Sequence, residues 1–176
     1  MATNQPQLQE FKIIQKAPDF EIRFYPSVAM ATICSTAKSY KDLGNNSFKK
    51  LVGFIFGENE SKQQIAMTSP VHMHINDKVA SMSFVMPSEY NKTNIPKPHN
   101  REVVINNSLD EYVAAVQFGG FASDKAIMLY SEKLGKALDA ASITWYGNFR
   151  FLGYNSPYQL LGRKNEIIVS VKWKIN

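Results

Sequence analysis

The stretch Ile65-Ala66-Met67-Thr68-Ser69-Pro70-Val71-His72-Met73-His74-Ile75 decides the fold. In its second half Val71, Met73 and Ile75 fall on one side of an extended chain and His72 and His74 on the other, the period of a strand with one apolar face. The first half pairs no nucleophile with a base and supplies no ligand set, and Ser69 before Pro70 has no base nearby. It specifies strands, a turn and packing. We read 64–76 as one strand and 79–86 as the next, closed by Phe84-Val85-Met86-Pro87.

Outward from this pair the elements come in a repeated order. Upstream, 9–16, 20–25 and 28–36 read as strands; in Phe20-Glu21-Ile22-Arg23-Phe24-Tyr25 the apolar Phe20, Ile22 and Phe24 alternate with Glu21 and Arg23, as in a half-buried strand. A helix from Ser39 to Phe56 follows, with a weak point at Gly44-Asn45-Asn46 and Gly57 placed to end it. Downstream, 87–100 contains Pro87, Pro96, Pro98, Asn91 and Asn94 and reads as a connector. Strands near 101–106 and 111–118, a helix over 123–141 started by Ser123-Asp124, and strands near 143–153 and 165–175 then repeat the order strands, helix, strands. No residue-level identity accompanies the repeat. Many strands and only two helices indicate α+β.

The chain has 176 residues, 44% of them hydrophobic, enough for one good core, so we expect 1–176 to be a single domain with a flexible N-terminus over 1–8. That N-terminus has no basic start or apolar run, and nothing resembles a transmembrane segment, which predicts no membrane insertion. Twenty basic and 15 acidic residues give +5, but the lysines are scattered and form no aromatic-basic array, so no nucleic-acid partner is expected. Mild basicity fits a soluble surface and would also favour an anionic ligand. Cys34 is the one cysteine; flanked by apolar residues it reads as a small strand hydrophobe, and it suits a reducing, cytoplasmic compartment.

Six segments in order resemble the SOUL haem-binding family: Phe20-Glu21-Ile22-Arg23-Phe24-Tyr25, Phe54-Ile55-Phe56-Gly57-Glu58-Asn59, Ile65 to Val71, Phe84 to Pro87, Tyr154-Asn155-Ser156-Pro157-Tyr158, and Gly162-Arg163-Lys164-Asn165-Glu166 with Ile167. The resemblance runs from about Phe11 to Val171. It implies a pseudo-two-fold α+β fold, a distorted antiparallel β-barrel or curved sheet flanked by two helices, related to the bacterial effector-binding fold. It also implies non-covalent binding of haem or another tetrapyrrole on the first helix, near the loop before Gly162, with basic side chains meeting the propionates. Asn45, Gly53 and Gln159 stand where some family members carry basic residues. Lys49, Lys50, Arg163 and Lys164 are the cations left to substitute for them.

The helical wheels support a special role for the first helix. At about 100° per residue, Phe48, Leu51, Val52, Phe54, Ile55 and Phe56 spread over about 200°, wider than the roughly 100° stripe that faces a core. In the second helix, Ile127, Tyr130, Leu134, Ala137, Leu138 and Ala141 fit about 100°. The expected tetrapyrrole site therefore comprises Phe48, Leu51, Val52, Ile55 and Phe56, with Gln159, Arg163 and Glu166 as polar neighbours. Phe54 or Phe56 could equally cap the barrel or tuck under the connector.

Chemistry-bearing residues are few. His72 and His74 share a strand face, but the sequence offers no obvious third zinc ligand, and no Cys-x-x-Cys-His motif attaches haem covalently. Either could serve as an axial ligand. Met67, Met73, Met82 and Met86 read as core or groove filler, and His99 as solvated. Glu166, opening an apolar strand, is expected to be partly buried against a base such as Arg23; by analogy with the effector-binding fold it is also the leading polar contact in an open cavity. The leading function is a tetrapyrrole carrier or buffer. A tetrapyrrole-modifying enzyme that removes metal with His72, His74 or Glu166 as proton donor is one alternative, and a small-ligand or protein-interaction module, with self-association through the first helix, is another.

Overall fold

The computed structural model describes residues 5–155 and 159–175. Short paired segments β1 (Gln7–Leu8) and β5 (Thr68–Ser69) run parallel; the other strands form one antiparallel sheet. These are β2 (Lys12–Lys16), β3 (Glu21–Tyr25), β4 (Ala29–Ser35), β6 (Val71–Ile75), β7 (Ala80–Val85), β8 (Val104–Asn107), β9 (Glu111–Gly119), β10 (Trp145–Gly153) and β11 (Lys164–Val171). Helices α1 (Tyr40–Ile55) and α2 (Asp124–Ala140) complete the fold. The sheet, ordered β2-β3-β9-β11-β10-β6-β7-β4-β8, curls into a half-barrel.

The repeated element order has a geometric counterpart. In β4-α1-β6-β7 and again in β9-α2-β10-β11, the last strand inserts between the two before it, and the halves join where β6 pairs with β10. The strand leading into each half is exchanged: β3, which precedes β4, pairs with β9, and β8, which precedes β9, pairs with β4.

Alternation then sorts the side chains onto two faces. On the helix-covered face, Ala31, Ile33, Met82 and Phe84 pack with Leu43, Leu51, Phe54 and Ile55 of α1; Ile22, Ala114, Ile167 and Val169 pack with Ile127, Leu134 and Leu138 of α2. Met73 touches both clusters. The helix N-termini adjoin: Ser39 and Ser123 cap their own helices, and Asp124 accepts a 2.7 Å hydrogen bond from the Tyr40 backbone N–H.

Several expectations need correction. Gly44-Asn45-Asn46 does not interrupt α1, which runs unbroken from Tyr40 to Ile55. The expected strand 64–76 breaks into β5 and β6 at Pro70, which has no N–H for a ladder. Of the segment 1–8, residues 1–4 lie outside the described residues, while Gln7 and Leu8 are held by β5. Arg23 and Tyr25 are buried along with Ile22, so β3 is covered on both faces. Cys34 is exposed, since Ile33 takes the inward position. Gly57, at φ +113°, does end α1. No helix among the described residues is long and apolar enough to cross a membrane.

Candidate functional site

The eight residues expected at the tetrapyrrole site fall into three places. Leu51 and Ile55, at 0% and 1% exposure, belong to the core beneath α1 and present no surface to a ligand. Phe48 and Val52 lie half-buried on the margin of that core, Phe48 edge-on to Phe84, and Phe56 at the helix C-cap is 65% exposed. The apolar arc of α1 is thus divided, with its inner part spent on the sheet and Phe48, Val52 and Phe56 left outward. Among the neighbouring cations, Lys50 pairs with Glu102 at 2.6 Å and Lys164 sits over the Tyr154 ring, while Lys49 is exposed.

Gln159 and Arg163 belong to the loop between β10 and β11, whose residues 156–158 lie outside the described residues. Gln159 Nε2 donates to the Leu161 carbonyl, and its own carbonyl accepts from Arg163, whose guanidinium covers the Phe121 ring. Leu160 and Leu161 stand out beside them, 73% and 85% exposed. Gly162, at φ +64°, occupies the left-handed region that the turn requires.

Glu166 is elsewhere, fully buried on the face opposite the helices. Arg23 grips both its carboxylate oxygens, at 3.0 and 2.5 Å, and the Tyr154 hydroxyl donates to the same carboxylate. Burial alone would lower the Arg23 pKa, but the Glu166 hydrogen bond and charge outweigh it and hold the guanidinium protonated. Burial, and then the Glu166 charge, push Tyr154 up, so it remains a donor. The expected Arg23–Glu166 pair is therefore present, fixing β3 to β11 across β9. Saturated in this way, the carboxylate has lost its capacity to receive a cationic ligand.

His72 and His74 share the face expected of them, and tertiary structure turns that face into the wall of a cleft of about 480 Å³ on the concave side of the half-barrel. His72 Nε2 lies 2.7 Å from Gln9 Oε1, an acceptor, so that nitrogen carries the hydrogen. Burial, with the Arg150 charge second, pushes His72 down to about 3, and the same causes lower His74; both imidazoles are neutral at pH 7. On the strands beside them, Arg150 of β10 forms a bidentate pair with Glu111 at 2.8 and 2.9 Å, and Ser83 of β7 forms a hydroxyl-amide chain with Thr32 and Asn106. Sequence reading found the histidines but missed Ser81, Ser83, Asn106, Arg150 and Glu111. The alternation of Ser81 and Ser83 with Met82 and Phe84 was the available signal; which strands lie beside β6 was not in the sequence. No group of three or more His, Cys, Asp or Glu able to hold a metal ion occurs among the described residues.

Comparison with known proteins places this geometry. The model of the SOUL heme-binding protein family matches residues 7–170. Mouse heme-binding protein 2 is 28% identical over 156 residues, covering 84% of this chain and 76% of that one, and pig heme-binding protein 1 is 23% identical over 155 residues, covering 84% and 82%. Among solved structures, the EcmrR C-terminal domain superposes with TM-score 0.62 at 10% identity over 87% of this chain and 96% of that one. SAV2435 bound to tetraphenylphosphonium gives 0.53 at 12% identity, covering 88% and 94%. At such identities these structural likenesses speak for the fold alone.

Proposed function

From the chain's membership of the SOUL heme-binding protein family, we propose that it binds haem or a related tetrapyrrole non-covalently, as a carrier or buffer in the reducing cytoplasm, on the outward margin of α1. The family match carries this reading, and the apolar surface that α1 keeps outside the core supports it. Phe48, Val52 and Phe56 are the contact residues; Leu51 and Ile55 set their positions from below. Lys49 and Arg163 are the candidates to meet propionates. The site works by shape and partition and makes no use of bond chemistry. His72, His74 and Glu166 lie on the opposite face of the sheet, so none of the three would reach a porphyrin held on α1 to donate a proton for metal removal.

Burial of about 300 Å² of apolar surface is worth on the order of 7 kcal/mol before association costs, so without charge pairing the binding is micromolar at best. Hemin titration followed in the Soret region tests this, with serum albumin as positive control. We expect saturation near one equivalent, at least tenfold weaker binding in Phe56→Glu and Val52→Glu, and no change in a His72→Ala/His74→Ala double variant. Phe56 is exposed, so its replacement leaves the fold intact even where Val52→Glu does not. Absence of saturable binding sinks the haem reading. Binding lost only in the histidine variant would move the porphyrin to the concave cleft.

A further inference from the structure

The concave cleft lies across the sheet from α1 and is not used by the proposed tetrapyrrole site. Its volume, about 480 Å³, falls within the range of small-molecule pockets. Three observations define what it could hold.

Its formal charges are internally matched. Both Arg150 terminal nitrogens are taken up by both Glu111 oxygens, and the Arg23–Glu166 pair is buried and takes no part in the cleft lining. A carboxylate, phosphate or ammonium entering the cleft would exchange its hydration for no counter-charge, which is unfavourable.

The cleft also shows no aromatic platform. Tyr25 is the aromatic residue in its lining and is 3% exposed. A flat ring system finds no exposed Phe, Tyr or Trp face to stack on.

What remains available is a set of groups that both donate and accept. His74, Ser81, Asn107 and Asn148 line the cleft and make no side-chain hydrogen bond to another described residue. Neutral imidazole, hydroxyl and carboxamide each carry a donor and an acceptor. They are matched by a ligand whose own groups do the same at several positions. Ile168, Met30 and Leu109 supply apolar wall for its carbon skeleton.

We propose that the concave cleft is a second ligand site, for an uncharged polyhydroxylated small molecule of mono- to disaccharide size. His74 and Ser81 on adjacent strands, with Asn107 and Asn148 at the rim, read its hydroxyls. The Arg150–Glu111 pair sets the polarity of the wall without calling for a charged ligand.

Two-dimensional 15N NMR titration of the full chain with glucose, trehalose and myo-inositol tests the assignment, with glucose 6-phosphate and tetraphenylphosphonium as charged counterparts. At least one neutral probe should give saturable shifts concentrated in β6, β7 and β10. Its affinity should fall at least tenfold in Ser81→Leu and in Asn148→Leu, while hemin binding stays unchanged. Asn148 is exposed, so that variant folds even if Ser81→Leu does not. No saturable shift with any neutral probe, tighter binding of either charged probe, or unaltered affinity in Asn148→Leu overturns the proposal.

Discussion

At the scale of single residues, the protein confines its buried ionisable chemistry to matched sets. Arg23 and Glu166, separated by 143 positions in the chain, satisfy each other with help from Tyr25 and Tyr154. His72 is matched differently, by staying neutral. The unfolded chain takes up a proton near pH 6.5, which the folded chain refuses until about pH 3. Stability from this group is therefore full above pH 6.5 and falls as pH drops through that window, because the unfolded state binds the extra proton. Lowering the pH from 7 to 5 should cost about 1–2 kcal/mol through His72, its partial exposure moderating the effect. Urea unfolding at the two pH values checks this: His72→Gln should flatten the dependence, and equal slopes for both proteins would remove His72 as its source.

At the scale of elements, α1 is shaped by two demands. Leu43, Leu51, Phe54 and Ile55 face the sheet, whereas Phe48, Val52 and Phe56 extend the apolar arc beyond what that packing needs. One inward position does not fit. Ser47 is 1% exposed, and its Oγ has no hydrogen-bond partner among the described residues. A buried hydroxyl without a partner is destabilising, and alanine is the better helix former. Ser47→Ala should therefore raise stability by about 1 kcal/mol, or roughly 2–4 °C in melting temperature for a chain of this size. A calorimetric loss of stability on this substitution would mean that the hydroxyl is satisfied in solution. The helix is also tied to its counterpart, since Asp124, in the first turn of α2, caps the first amide of α1.

At the scale of the whole molecule, the exchanged strands make the halves interdependent. A chain cut within the 87–100 connector separates β3 from its partner β9 and β4 from its partner β8. It also separates Arg23 from Glu166, leaving a buried charge unpaired in each fragment, a defect worth about 3–5 kcal/mol when one partner of such a pair is lost. Fragments 1–92 and 93–176 should each lack a cooperative thermal transition alone and regain one when co-expressed, as circular dichroism would report. Independent cooperative folding of either half would contradict the interlocked architecture. The same curl divides the molecule's surfaces: the helices and the two larger apolar cores occupy one side, and a smaller apolar cluster around Leu152 and Ile168 with the charge-matched polar cleft the other.

How much of this was legible beforehand depended on whether the signal was local. Hydrophobic period, prolines and glycines located the helices and most strands, because backbone geometry writes its period directly into the sequence: His72 and His74 against Val71, Met73 and Ile75, or Gly57 at the end of α1. The Arg23–Glu166 pair was also anticipated, since a carboxylate opening an apolar strand requires a buried base. The candidate site was less legible. The helical wheel measures how wide the apolar arc of α1 is, but not how much of it the sheet consumes, and Leu51 and Ile55, on that arc, are taken up by the core. The cleft as a whole was not visible, because Asn106, Glu111 and Arg150 come from strands distant in sequence from His72 and His74. By itself the sequence determined the helices, most of the strands and the family; only tertiary structure decided which faces meet and which are covered, because strand order and curl are set by contacts made between distant segments once the chain has folded.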